Sequence, residues 1–74
     1  MLHRAALCAN VLETLGFHVR LRERGIVELE REGEVIVLPE SGAISNGIVD
    51  RLAEAAGIEP RTFFGLLRAA TSSS

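Results

Sequence analysis

The sequence has few of the residues that form disulfides, metal sites or membrane segments in very small proteins. It contains one cysteine, two prolines, no tryptophan and no tyrosine. The lone Cys8 has no partner for an internal disulfide, and one cysteine does not make a metal site. No apolar stretch approaches the roughly 20 residues of a membrane-spanning helix, and no secretory leader pattern is present. We therefore expect a cytoplasmic domain with no membrane segment, no cofactor and no metal.

Lysine is also absent, so arginine carries all of the fixed basic charge. All eight basic residues are arginine, and nine of the ten acidic residues are glutamate. A bias toward arginine, alanine and glutamate is typical of a GC-rich or thermophilic bacterial genome. The formal net charge is −2 and the isoelectric point is near 5.6, whereas proteins that grip phosphates usually show a basic excess. RNA binding would therefore require a local basic patch.

Length and composition predict one folded domain. The chain has 74 residues, of which 47% are hydrophobic and 24% charged, and this composition argues against intrinsic disorder. A chain this short buries roughly 60% of the surface that its unfolded form exposes, so its stability is marginal. We expect one domain over residues 1–70 and a frayed tail over 71–74.

Changes in hydrophobic periodicity predict an α+β fold of order α-β-β-β-α with a short C-terminal helix. Apolar residues at helical spacing precede Gly16, and strict alternation begins at Phe17. Glu32-Gly33 predicts a tight turn, and Gly57 predicts a helix end. A three-stranded antiparallel sheet with helices on one face fits this order. The expected elements are a helix over 2–15, strands over 17–23, 27–31 and 34–38, a loop over 39–46, a helix from 47 capped by Ser45 or Asn46, and a short helix from Pro60.

The strand registers predict which side chains face the helices. The first hairpin is expected to turn about Gly25 and the second about Glu32-Gly33. Because opposite residues share a face, a slip of one residue would move every side chain to the other side of the sheet. The expected pairs are Leu21–Leu29, Arg22–Glu28, Arg20–Glu30, Leu29–Ile36, Val27–Leu38 and Glu28–Val37. The predicted inner face holds Phe17, Val19, Leu21, Val27, Leu29, Ile36 and Leu38, and the predicted outer face holds His18, Arg20, Arg22, Glu28, Glu30, Val35 and Val37.

The predicted outer face is the main candidate for a binding surface, and three interpretations of it remain open. In the first it is a solvated ladder of cross-strand ion pairs, each of which contributes about 0.2–1 kcal/mol. In the second it is a basic strip for RNA phosphates, which the facing glutamates oppose. In the third it is a protein or homodimer interface, because valines lie beside complementary charges. The candidate residues are Arg20, Arg22, Glu28, Glu30, Val35 and Val37.

Familiar catalytic and nucleotide-binding motifs are absent. The sequence has no GxGxxG, no GxxxxGK[ST] and no HExxH pattern, so the sites that those motifs build are not expected. His3 and His18 lie on different elements, without other ligands at metal-binding spacing. His18 is the one candidate general acid or base in the sheet, whereas Cys8 is expected to be buried as a small apolar side chain.

An ordered series of residues resembles the HicA (YcfA-like) toxin family. The resemblance covers residues 7–67 and implies a fold similar to the double-stranded-RNA-binding domain. It also implies an mRNA-cleaving ribonuclease that a HicB antitoxin neutralises. The residues that carry it are Leu15-Gly16-Phe17, Gly25, Val35-Ile36-Val37-Leu38-Pro39, Gly47-Ile48-Val49-Asp50-Arg51-Leu52, Ala56-Gly57-Ile58 and Phe63.

The sequence departs from this family at the catalytic histidine. The family's second strand opens with a G-[ST]-H motif, and the corresponding stretch here is Arg24-Gly25-Ile26-Val27. The histidine position falls on Ile26 or Val27, and neither side chain exchanges a proton. Metal-free RNA cleavage needs a base for the 2′-hydroxyl proton, and such help is typically worth about 10²–10⁴-fold.

Three functional hypotheses follow. The first is a HicA-like domain without nuclease activity, which binds RNA or a protein such as a HicB-like antitoxin in a toxin–antitoxin-like setting. The second is an active mRNA-cleaving endoribonuclease that uses His18 as a relocated base. The third is a structural domain that forms a homodimer through the outer sheet face. The first and third hypotheses are compatible.

Overall fold

A computed structural model describes residues 2–72 of the chain. Over this range the elements are β1 (Leu2–Arg4), α1 (Ala5–Thr14), β2 (His18–Glu23), β3 (Ile26–Arg31), β4 (Glu34–Pro39), β5 (Ala43–Ser45), α2 (Asn46–Ala56) and α3 (Pro60–Ser72). Strands β2, β3 and β4 form one antiparallel sheet in that order, and β1 pairs with β5 in a second, two-stranded sheet. The α+β class, the three-stranded sheet and the C-terminal helix are as predicted.

The two short strands β1 and β5 were not predicted. The first occupies the start of the helix expected over 2–15, and the second lies in the loop expected over 39–46. They pair in antiparallel register, with His3 opposite Ile44. Each is three residues long, so neither shows enough alternation to reveal itself in the sequence. Their pairing ties the N-terminal end of α1 to the segment that leads into α2.

Glycine ends both of the first two helices, as predicted. Gly16 has a φ of 100°, a left-handed conformation in which a side chain is strained. Its N–H donates to the carbonyl of Glu13, and the N–H of Phe17 donates to the carbonyl of Leu12, each at 3.0 Å. This pair of bonds is the Schellman closure. It turns the chain sharply and brings Phe17 back into the core.

The start of α2 and the length of α3 differ from the predictions. Ser45 occupies the N-cap position of α2, but its side chain forms no capping hydrogen bond, and the Asn46 side chain contacts His3 instead. Helix α3 begins at Pro60 as expected but continues to Ser72 over 13 residues. It is therefore not short, and it includes the first two residues of the expected frayed tail. Residues 73 and 74 of that tail lie outside the described residues.

The core lies between the inner face of the sheet and the helices. Helix α1 crosses all three strands, α2 packs beside β4, and α3 packs on both α1 and α2. Burial of these apolar side chains is the main favourable contribution to folding. Ile48, near the start of α2, is 40% exposed. The side chains that are almost wholly buried include Leu12, Val27, Leu29, Ile36, Leu38, Val49, Leu52, Phe63 and Leu67.

The second hairpin has the predicted register, and the first does not. Both turns are two-residue turns with positive φ at each position, over Arg24-Gly25 and Glu32-Gly33, as in type I′ turns. The turn at Arg24-Gly25 sets Glu23 opposite Ile26. The predicted pairs of the first hairpin were therefore wrong. The observed pairs include His18–Glu30, Val19–Leu29, Leu21–Glu28 and Arg22–Val27 in the first hairpin, and Glu28–Val37, Leu29–Ile36 and Val27–Leu38 in the second.

The observed register differs from the predicted one for two reasons. The two-residue turn shifts the pairs next to it by one residue, and a β-bulge in β2 then shifts the pairs beyond it by one more. A regular ladder from the Arg24-Gly25 turn would put Arg20 opposite Leu29, on the buried face. An irregularity between Val19 and Leu21 shifts the pairing by one residue and places Val19 opposite Leu29 instead. An extra residue in one strand is how a bulge resets which side chains face the core. Leu21 lies on the turn side of the bulge, so the two-residue turn sets it opposite Glu28, and Leu21, predicted to be buried, is exposed.

Arg31 at the end of β3 joins the sheet to the ends of two helices. Its Nη1 donates to the carbonyl of Leu15 and its Nη2 to the carbonyl of Ala56, both at 2.8 Å. Its guanidinium carbon lies 4.5 Å from the centroid of the Phe17 ring. A cation at a helix C-terminus offsets the partial negative charge there, and Arg31 does so for α1 and α2 together.

Candidate interaction surface

The outer face of the sheet is divided into an apolar half and a charged half. Side chains alternate between the two faces of a strand, so the register assigns one row of each strand to the outer face. The row of β4 is entirely apolar and continues onto the first residue of β3. We call these four exposed residues the outer patch, and they are Ile26, Val35, Val37 and Pro39.

Valine forms the most exposed part of the outer patch. Val35 and Val37 are 41% and 55% exposed, and they lie opposite Glu30 and Glu28 of β3. Single exposed apolar residues are ordinary on protein surfaces. Neighbouring ones on a rigid sheet, rimmed by charges, are typical of interaction sites. The sequence prediction that Val35 and Val37 lie on the outer face is confirmed by this register.

The charged side chains of the outer face form ion pairs with one another. The Nε of Arg20 lies 3.3 Å from Oε1 of Glu28, and the Nε2 of His18 lies 3.7 Å from Oε1 of Glu30. The predicted partner of Arg20 was Glu30, so the prediction of a cross-strand pair holds but the partner is Glu28. Exposed ion pairs of this kind contribute about 0–1 kcal/mol to stability. Their main effect is to leave little unpaired positive charge on this face.

Arg22 does not belong to the outer face. It lies opposite Val27, whose side chain is buried in the core, and opposite residues of antiparallel strands share a face. Its Nη1 lies 3.5 Å from Oε2 of Glu40, just beyond the end of β4. The predicted outer position of Arg22 is therefore wrong, because the prediction placed the first hairpin in a different register. The candidate surface loses one of its two arginines.

The position that the HicA resemblance assigns to a catalytic histidine carries no acid–base group. Ile26 is an exposed member of the outer patch, and Val27 is buried. Neither of the two alignments of the G-[ST]-H motif thus recovers a proton donor or acceptor. His18 is the one imidazole on the sheet, and its side chain is 66% exposed.

A second histidine environment was missed by the sequence reasoning. The Nε2 of His3 contacts the Oδ1 of Asn46 across 43 residues of sequence, and its ring lies 5.2 Å from that of Phe64. These side chains and Arg68 line a shallow cleft of about 450 Å³ beside α3. The asparagine and the aromatic ring fix the orientation of the imidazole. No local sequence pattern predicts the contact between His3 and Asn46, because it depends on the unpredicted pairing of β1 with β5.

Cys8 is buried, as predicted. Its side chain lies in the core, and burial raises the pKa of the thiol to about 11. A thiol with a raised pKa and no access is a poor nucleophile. Among residues 2–72 no group of three or more histidine, cysteine, aspartate or glutamate side chains is placed to hold a metal ion.

Two comparisons with known proteins were without a match. No family model matches the chain, and no curated protein matches it. Within the described part of the chain, none of the helices has the length and apolar character needed to cross a membrane.

Proposed function

We propose that the chain is a HicA-like domain that has lost nuclease chemistry and acts as a protein-interaction module in a toxin–antitoxin-like setting. The support is the ordered series of family-like residues and the succession α1, β2, β3, β4 and α2, with the helices on one face of the sheet. This succession is the one expected of a fold like the double-stranded-RNA-binding domain. The absence of a titratable side chain at Ile26 and Val27 argues against the family's cleavage reaction.

The observation that carries the proposal is the outer patch. Val35 and Val37 are exposed side by side on a rigid strand, beside the paired charges of Arg20 and Glu28. An apolar centre with a polar, charged rim is the usual anatomy of a protein interface. A HicB-like antitoxin is the partner that the family resemblance suggests, and it would place apolar side chains on this strand.

Protein is favoured over RNA as the occupant of this face. RNA binding depends on cations that neutralise phosphates. On the outer face Arg20 and His18 are already paired with glutamates, and Arg22 lies on the other side of the sheet. A phosphate would have to displace Glu28 or approach it against repulsion. Salt-sensitive retention of RNA by the wild-type chain would therefore count against this assignment.

The proposal is tested with two matched substitutions. Val35→Glu places a charge in the outer patch, and Ile48→Glu places the same charge on α2 at nearly equal exposure. We expect a HicB-like antitoxin to bind the wild-type chain and the Ile48→Glu chain equally. Binding to Val35→Glu should weaken at least about tenfold, as for loss of a contact near an interface centre. Isothermal titration calorimetry measures both, and equal weakening in the two variants would contradict the proposal.

A second candidate function is RNA cleavage with His18 as a relocated catalytic group. One observation favours it, the carboxylate of Glu30 at 3.7 Å from the imidazole. The chain supplies its own control, because its other histidine, His3, lies far along the sequence in a different setting. If His18 is catalytic, His18→Ala abolishes cleavage of a model RNA while His3→Ala retains it. We expect no cleavage above an active-site-free control from any of the three proteins.

A further inference from the structure

The two edges of the three-stranded sheet are built in opposite ways. The β2 edge carries a bulge and the charged side chains of Arg20, Arg22 and Glu23. Bulges and charges are devices that keep an edge strand from pairing with another chain. The β4 edge has no register irregularity, and its four central residues, 35–38, are consecutively apolar. Pro39 protects only the end of β4, so residues 35–38 are the unprotected stretch of the two edges.

The alternation of hydrogen bonds between β3 and β4 shows which main-chain N–H and C=O groups of β4 are unpaired within the sheet. The N–H of Glu40 donates to the carbonyl of Gly25 across the β3–β4 hairpin, at 2.8 Å. In an antiparallel ladder, alternate residues point their N–H and C=O groups at the same neighbour. Glu34, Ile36 and Leu38 therefore bond to β3. The main-chain groups of Val35 and Val37 point away from β3, and no strand pairs with that side of β4 within residues 2–72.

We propose that a second copy of this chain pairs antiparallel with the free edge of β4 and extends the sheet to six strands. The two-fold axis passes beside Ile36, so that Val35 of each copy lies opposite Val37 of the other. This register lets both free N–H groups of each copy meet free carbonyls of the other. It yields about four main-chain hydrogen bonds, two for each hydrogen-bonded pair.

Self-complementarity favours a second copy over an unrelated strand. The paired segment carries no charge, so no like charges meet at its centre. In this register the outer patches of the two copies also join into one apolar surface, because Val35 and Val37 are neighbours across the axis. On the other face, Glu34, Arg51 and Glu54 line a polar cleft beside the same edge. Both signs of charge are present there, and Arg51 offsets part of the negative charge that would repel a second copy at this edge.

The pairing also suits the size of the chain. A domain of this length is marginally stable alone, and edge pairing satisfies exposed main-chain groups that water otherwise solvates. The inference goes beyond the proposed function, because it concerns the edge of the sheet and not the partner bound on its outer face. A closed two-fold pair uses one edge from each copy, and the bulged β2 edges at the ends of the six-stranded sheet prevent further growth.

Amide hydrogen exchange of the unmodified chain, followed by NMR at increasing protein concentration, tests this pairing directly. We expect the amides of Val35 and Val37 to become protected as concentration rises, whereas those of Ile36 and Leu38 are protected throughout. Sedimentation velocity over the same range should show a shift from monomer to dimer. Concentration-independent exchange at Val35 and Val37, or a monomer at every concentration, would overturn the proposal.

A pair of variants separates edge pairing from packing of the outer faces. Val37→Pro removes a free N–H without breaking a bond to β3, and proline is tolerated on an edge strand where the N–H faces solvent. Val37→Thr keeps the N–H and reduces only the apolar contact. We expect Val37→Pro to be monomeric and Val37→Thr to remain dimeric. A Val37→Pro chain that still dimerises would overturn edge pairing; if that chain does not fold, the exchange pattern of the wild type decides.

Discussion

The inner and outer faces of the sheet come from the same three strands and have different chemistry. On the inner face, Val27, Leu29, Ile36 and Leu38 are buried beneath the helices. On the outer face, the outer patch lies along β4 and the start of β3, Leu21 of β2 is exposed as well, and Arg20 and His18 pair with glutamates of β3. The inner face accounts for stability. The outer face contributes little to the fold of one copy, which leaves its sequence free to specify an interaction.

The largest expected effect compares one residue from each face. Leu29→Ala removes side-chain volume from a fully buried site and should lower the free energy of unfolding by about 2–5 kcal/mol. Val37→Ala at the outer patch should change it by less than about 0.5 kcal/mol, as for ordinary surface positions. Urea unfolding at a concentration where the chain is monomeric measures both. A similar loss in the two variants would mean that the outer patch is covered within one copy.

The next effect concerns Arg31, which connects the inner face to two helix ends. Arg31→Ala leaves the carbonyls of Leu15 and Ala56 without this donor and should cost about 2–3 kcal/mol. Arg31→Lys should recover only part of this loss, because a single ammonium does not reproduce the planar fork. Arg61→Ala is the matched control, since its side chain is 89% exposed. Equal stability of the Arg31→Ala and Arg61→Ala chains would contradict the bridging role.

The smallest expected effect is a loss of stability at high pH that originates at Cys8. Its thiol has an ordinary pKa of 9.0 when unfolded and of about 11 when buried. The unfolded chain therefore releases this proton first, so stability is fully present below pH 9 and declines as pH rises toward 11. Because the sequence has no lysine and no tyrosine, no other side chain has an ordinary pKa in this window.

The decline should reach the order of 1–3 kcal/mol, since each unit of pKa shift corresponds to about 1.36 kcal/mol. Urea unfolding of the wild type and of Cys8→Ala at several pH values from 8 to 11 measures it. The Cys8→Ala chain is less stable because a methyl group replaces the larger side chain, but its stability should stay level over this range. A decline of the same steepness in both chains would assign the effect to something other than the thiol.

The inner face was largely predictable from the sequence, because alternation and turn chemistry are local. Glu32-Gly33 specifies a two-residue turn, and that turn alone sets every pair of the second hairpin. The first hairpin was mispredicted because its turn was expected about Gly25 and is Arg24-Gly25, and because nothing in the pattern of Val19, Arg20 and Leu21 marks a bulge. The alternation of apolar and polar residues there fits a strand without a bulge as well as one with a bulge. Only the combined demands of the Arg24-Gly25 turn and the core decide where the extra residue falls.

Contacts between residues that are distant in the sequence could not be predicted, for a related reason. Arg31 bonds to carbonyls 16 and 25 residues away, and His3 contacts Asn46 at a separation of 43. Such contacts depend on how the helices pack, and they produce no periodic pattern in a single sequence. The outer valines were predicted correctly because they lie in the regular hairpin. Arg22 was placed on the wrong face because the predicted turn about Gly25 displaced its pairing by one residue.

The most direct measurement of whether the outer face is the interaction surface is an NMR titration of the isotope-labelled chain with a HicB-like partner. We expect the largest chemical-shift changes at Ile26, Val35 and Val37, with small changes at Ile48 and around the cleft beside His3. That pattern would place the partner on the outer patch. Changes concentrated on α2 or α3, with the outer patch unaffected, would contradict the assignment.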